Sequence, residues 1–118
     1  MGLDIDGEAS NDQNGNAVSI NSDGTRVAIA AYLNDANGTD SGRVRVFEWD
    51  GADWNKMGST IDGPASGDRN GASVSINSDG TILAIGADKN RNAGLSAGHT
   101  RVFDLDYYCL LYTSDAAD

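Results

Sequence analysis

The chain repeats itself. Val18-Ser19-Ile20-Asn21-Ser22-Asp23-Gly24-Thr25 returns unchanged as Val74 to Thr81. Ile5-Asp6-Gly7 returns as Ile61-Asp62-Gly63, and Arg45-Val46-Phe47 as Arg101-Val102-Phe103. The offset is 56 residues throughout and needs no gap. Laid on residues 57–106, residues 1–50 are identical at 28 of 50 positions. A fixed period of this kind marks one supersecondary unit, copied, that buries its apolar surface only against neighbouring copies. Met1-Gly2 falls on Met57-Gly58. An initiator has no reason to match a repeat, so the expectation is that Met1 is an internal methionine preceded by further sequence.

The pattern within one period is that of short strands. Ala17 to Asn21 is a β-like run that ends in Asn-Ser-Asp-Gly. Thr25 to Ala31 alternates around Val27 and Ile29, and Arg43 to Trp49 around Val44 and Val46. Asp53 to Met57, with Trp54, supplies a weaker fourth strand. No stretch holds a helical period over 11 residues. Four short antiparallel strands per period describe the blade of a β-propeller, and two blades alone cannot close a ring. The expected fold is therefore all-β, two four-stranded antiparallel blades of an incomplete β-propeller. A two-sheet sandwich is the competing architecture. The expected division is 1–14 as the end of a preceding blade and its link, 15–58 as a complete blade, 59–71 as the inter-blade link, and 72–108 as a truncated second blade.

Composition excludes several classes. The formal net charge is −10, from 18 acidic and 8 basic residues, which leaves no basic patch for nucleic acid. It suits an acidic surface that attracts cations, or one that serves only solubility. No apolar run reaches the length of about 18 residues that a membrane span needs. One histidine and one cysteine cannot build a Ser-His-Asp set or a metal-spaced His pair, and His99 falls on Arg43 in the repeat.

Loop lengths point to one end of the sheets. In an antiparallel meander the turns after strands 1 and 3 share one end, and the remaining connections share the other. The first two are tight, at Asn21–Gly24 and around Asp50-Gly51. The others are long, Tyr32–Gly42 within the repeat and Ser59–Gly71 between repeats. Recognition sits on loops held by a rigid scaffold. The long-loop residues Asp12, Asn14, Asn34, Asp35, Asn37, Asp40, Asp68, Asn70, Asp88 and Asn90 are thus the candidate ligand-binding set. For Asp12 and Asp68, which recur in Asp-x-Asn-Gly before the first strand, hydrogen bonds that cap the loop are the alternative. Trp49 and Trp54 are expected to pack between blades rather than grip a sugar.

Gly71-x-x-Val74-x-Ile76, the Asp79-Gly80 turn, the run Ile82 to Ala87 and Gly98 before Thr100 to Phe103 together resemble the FG-GAP repeat. That repeat is the blade unit of integrin-type propellers and of many secreted microbial ones. Gly15, Asp23-Gly24, Val27 to Ala31 and Gly42 match in the first copy, so the resemblance covers nearly all of 1–106. It departs from the family where Asn14 and Asn70 replace the phenylalanine. Family members that bind calcium carry Asp-x-Asx-x-Asp-Gly-x-x-Asp in the turn after strand 1. Here Ser19 and Ser75 stand first, only Asn21, Asp23, Asn77 and Asp79 remain, and no later carboxylate follows. A six- to eight-coordinate ion lacks oxygens there, so an Asx-rich hairpin turn is expected and calcium is the lesser alternative. No other cofactor is expected.

The resemblance implies a non-catalytic binding or adhesion module within a larger secreted or cell-surface propeller. Its partners would be further blades of the same chain and a protein or carbohydrate ligand. The alternatives are a propeller enzyme whose active site lies in other blades, and a structural spacer. A near-perfect repeat argues against catalysis, because an active site needs unlike residues to converge. The repeat stops after Asp106, and residues 109–118 resemble one reading frame of a transposase-type sequencing adaptor. The codons TGT CTC TTA TAC ACA TCT GAC GCT GCC GAC spell Cys109 to Asp118, so this tail is expected to be non-native. Tyr108 to Tyr112 is nevertheless expected to serve as a makeshift fourth strand of the second blade.

Overall fold

A computed structural model of the 118-residue chain describes residues 1–90, 94, 97–105 and 114–115, the last two by their backbone alone. Every regular element among them is a strand. In chain order these are β1 (Ala17–Ile20), β2 (Arg26–Ala31), β3 (Arg43–Trp49), β4 (Trp54–Lys56), β5 (Ile61–Asp62), β6 (Asn70–Ile76), β7 (Ile82–Ala87), β8 (His99–Asp104) and β9 (Ser114–Asp115). All pairings between them are antiparallel. The first sheet runs β1-β2-β3-β4, with β5 also on β3, and the second runs β6-β7-β8, with β9 against β8.

The 56-residue offset carries through the backbone. β7 and β8 begin 56 residues after β2 and β3, and the register repeats: Val18 faces Ile29 as Val74 faces Ile85. Asn-Ser-Asp-Gly closes both first hairpins. The Gly24 N–H donates to the Asn21 carbonyl at 3.2 Å and the Gly80 N–H to that of Asn77 at 3.0 Å. Both glycines sit in the left-handed region, at φ +75° and +77°, where a Cβ is disfavoured.

Each sheet presents two chemically different faces, because side chains alternate across a strand. Ala17, Ser19, Ala28, Ala30, Val44 and Val46 share the small-residue face of the first sheet. Val74, Ile76, Leu83, Ile85, Arg101 and Phe103 share the large-residue face of the second. These two faces pack on each other, with β6 lying over β1 and β2. Large aliphatic groups seat against alanines, and Leu83, Ile85, Val44, Ala28 and Ala30 are wholly buried. The sheets approach closely at Gly71, where a Cβ would stand 2.7 Å from that of Ala30.

Three expectations are corrected. Ile61–Asp62, read from sequence as part of the inter-blade link, is instead an edge strand: Ile61 pairs with Val44 and Asp62 with Arg43. The bidentate Arg43–Asp62 pair, at 2.6 and 3.1 Å, fixes it there. The second sheet opens at Asn70 rather than 72, with a bulge between Asn70 and Ser73. Trp49 and Trp54 pair across β3 and β4 with ring centroids 5.3 Å apart, and the Trp54 indole donates to the Met1 carbonyl. They pack on each other and on the chain start, not between the sheets. The makeshift strand expected at 108–112 lies outside the described residues.

Candidate functional site: the long-loop end

Antiparallel pairing puts the 32–42 loop and the 63–69 link at the same end of the first sheet. The two are knitted together by main-chain bonds. The N–H groups of Gly67, Arg69 and Asn70 donate to the carbonyls of Thr39, Asp40 and Ser41, and the Gly63 N–H donates to Gly42. Asn37 adds its amide to the carbonyls of Gly63 and Pro64, at 2.8 and 3.3 Å. Asp40 and Arg69 both hold positive φ angles, +55° and +58°, at this junction. The loop end is thus a braced surface rather than a set of independent connections.

Five of the ten candidate residues do the bracing from inside. Asp12, Asn34, Asp68, Asn70 and Asn90 are buried. Asn34 donates to the Asp12 carboxylate at 2.8 Å, and Asn90 to that of Asp68 at 3.1 Å, the same bond 56 residues on. Asp68 also accepts the Ala65 N–H at 3.0 Å. Asn70 donates to the Ile61 carbonyl and accepts from the Arg101 guanidinium. Half-buried Asn14 repeats both bonds with Ile5 and Arg45. Buried polar groups find partners because leaving one unpaired costs about 1–3 kcal/mol. The ligand-face reading of these residues gives way to loop capping, the alternative already open for Asp12 and Asp68. Asp35, Asn37 and Asp88 are exposed and Asp40 is half-exposed. They are the part of the candidate set turned to solvent.

Sequence reasoning assigned no role to the arginines. Arg45 and Arg101 lie over Phe47 and Phe103, with the guanidinium carbon 5.4 and 5.5 Å from the ring centre. Arg101 also reaches the Asp62 carbonyl on the first sheet, as Arg45 reaches Asp6. Arg69 covers Tyr32 at 4.5 Å. The recurrence of Arg-Val-Phe was the available signal, and it marks a clamp between each sheet and the chain that leads into it.

The turns at the opposite end do not suit calcium. The Asn21 carboxamide oxygen accepts the N–H groups of Thr25 and Arg26, and Asn77 does the same for Thr81 and Ile82. The Asp23 carboxylate accepts the Thr25 hydroxyl at 2.6 Å, which holds its pKa below the usual carboxylate range. In both turns the Asn oxygen, and in the first also one Asp23 oxygen, is thus engaged by donors of its own turn, in loops that already offer few ligands to a hard cation. Among the described residues, no group of three or more His, Cys, Asp or Glu is placed to hold a metal. No helix there is long and apolar enough to cross a membrane.

A cavity of about 550 Å³ opens on the second sheet, against Ser73, Gly86, Ala87, Gly98, His99 and Thr100. Its walls mix small apolar and polar residues with the His99 side chain. No protein-family model matches the chain, and no curated protein shows significant sequence similarity to it.

Proposed function

We propose that the chain forms two blades of an FG-GAP-like propeller and acts as a non-catalytic binding or adhesion module on a secreted or cell-surface protein. The long-loop end is its recognition surface, and the ligand is a protein or carbohydrate. The observation that carries this reading is the braced loop end. Ordered loops lose little entropy on binding, so exposed groups on them are pre-organised for recognition. Asp35, Asp40 and Asp88 supply carboxylates, acceptors suited to hydroxyls, amides or cationic side chains, and Asn37 its carboxamide oxygen. The antiparallel sheets, the 56-residue offset in the backbone and the sheet-on-sheet packing support the blade assignment.

The test is a glycan array together with a panel of extracellular-matrix proteins, probed with the wild-type chain, with an Asp35→Lys/Asp88→Lys variant, and with Lys56→Ser at the other end. Any ligand found should bind the double variant at least about tenfold more weakly and Lys56→Ser unchanged. A ligand indifferent to the loop-end change but lost with Lys56→Ser would overturn the assignment.

A further inference from the structure

The faces that pack within the chain have counterparts that are covered only in part: on the first sheet Ile29 and Phe47 are buried, but the end at Val18 and Ile20 is open. On the first sheet the large-residue face carries Val18, Ile20, Val27, Ile29, Arg45 and Phe47, the positional equivalents of Val74 to Phe103. Val18 is 60% and Ile20 54% exposed, whereas Ile76, the counterpart of Ile20, is 8% exposed. On the second sheet the small-residue face carries Ser73, Ser75, Ala84, Gly86, Thr100 and Val102. There Ser73, Ser75 and Thr100 are exposed.

The backbone is already shaped for the missing neighbour. Gly71 holds φ +95° and seats on Ala30 and Val44; Gly15 holds φ +90° with nothing within 4 Å of a built Cβ. Gly80 seats on Asn21, whereas Gly24, at almost the same φ, also meets nothing. Asn21 beneath Gly80 is buried, while its counterpart Asn77 is exposed. Local turn chemistry accounts for the conformations of Gly15 and Gly24, but only a neighbouring sheet would give them contacts.

We propose that the chain associates head to tail with a second copy of itself, the large-residue face of one first sheet docking on the small-residue face of another second sheet. The internal interface supplies the register. Within the chain, Ser22 donates its N–H and hydroxyl to the Ser78 carbonyl, and the Ile76 N–H donates to the Ser19 hydroxyl. Between copies, Ser78 of one chain meets the Ser22 carbonyl of the next, and the Ile20 N–H meets the Ser75 hydroxyl. Gly15 of the incoming copy enters the cavity against Gly86 and Thr100. Several internal bonds have no counterpart: Asn16, which donates to Gly71, becomes Ala72, Arg26, which donates to Gly80, becomes Ile82, and Asn37, which donates to Gly63 and Pro64, becomes Ala93. Association between copies is therefore weaker than packing within one and depends on concentration. A contact between unlike faces propagates into rings or open chains instead of stopping at a symmetric dimer.

This inference rests on sheet packing and not on the recognition surface, so its failure leaves the loop-end reading intact. The test is sedimentation equilibrium of the full chain at about 0.15 M salt, with reductant, from about 10 to 300 µM, the range in which a micromolar contact is read. The wild-type weight-average mass should climb to at least twice that of one chain. Ile20→Lys blocks one face and Ser75→Lys the other. Each variant, with its β-type circular dichroism retained, should stay at single-chain mass, and their equimolar mixture should give a species of twice that mass and nothing larger. A wild-type chain that stays monomeric throughout overturns the proposal, as do variants that associate like wild type or a mixture of folded variants that remains monomeric. If a variant unfolds, the wild-type mass curve alone decides.

Discussion

Asn70 and Asn14 make the same two hydrogen bonds in different surroundings. Asn70 is wholly buried, so Asn70→Ala strands the Ile61 carbonyl in the interior and takes an acceptor from half-buried Arg101. The expected loss is about 2 kcal/mol in urea unfolding, against well under 1 kcal/mol for Asn14→Ala, where solvent replaces the lost partner. Equal losses would show that the burial difference has no energetic meaning. The hairpin-turn carboxylates set a pH response. Backbone N–H groups of Asp53 and Ala52, with the Asn55 amide, hold the Asp50 carboxyl below its ordinary value, as the Thr25 hydroxyl does for Asp23. Both pKa values are lowered in the folded state, so their contribution is present above the unfolded value near pH 4 and is lost as pH falls through the lower, folded value. Thermal midpoints should drop as the pH falls below about 4, and less steeply in Asp50→Ala. The sequence shows that Asp12, Asp68 and Asn70 are polar and lie in connections. It does not show that the connections fold over them, because that depends on main-chain bonds between segments distant in sequence, such as Arg69 to Asp40.

At the scale of elements, β1 and β6 carry the same Val-Ser-Ile core on surfaces of different burial. Ile76→Ala should cost about 2–4 kcal/mol, the usual range for a buried aliphatic residue. Ile20→Ala at the equivalent position should cost below about 0.5 kcal/mol, the usual range at an exposed site. Chemical denaturation of dilute protein checks both, and comparable losses would mean that β1 is as well covered as β6. The first hairpins should bind calcium no tighter than about 10⁻⁴ M by calorimetric titration, since their oxygens already accept N–H and O–H groups. A micromolar site abolished by Asp23→Ala would overturn that assignment. The strands of the sheets were legible from alternation and from the Asn-Ser-Asp-Gly turns, which act over a few residues. β5 was not, because two residues carry no periodicity and Ile61–Asp62 is a strand only through Val44 and the Arg43 ion pair.

For the whole molecule, the two sheets should unfold in one transition. Ile61 of the first sheet's edge belongs to the same core as Ile76 and Phe103, and Arg101 bonds the Asp62 carbonyl across the interface. Coincident fluorescence and circular-dichroism curves check this, and two separated transitions would show the sheets to be independent. The closeness of the two copies has a further effect, on folding fidelity. Val18 to Thr25 and Val74 to Thr81 are interchangeable in sequence, so β1 could pair with β7 and β6 with β2 in the same register as the native partners. What separates right from wrong is chain topology: the native hairpin closes the short turn 21–25, the exchanged one the long loop 21–81. The entropy of loop closure favours the short turn by about 2 kcal/mol. The invariant Asn-Ser-Asp-Gly turn is thus a sorting device, one that keeps near-identical neighbours from trading strands as the chain collapses.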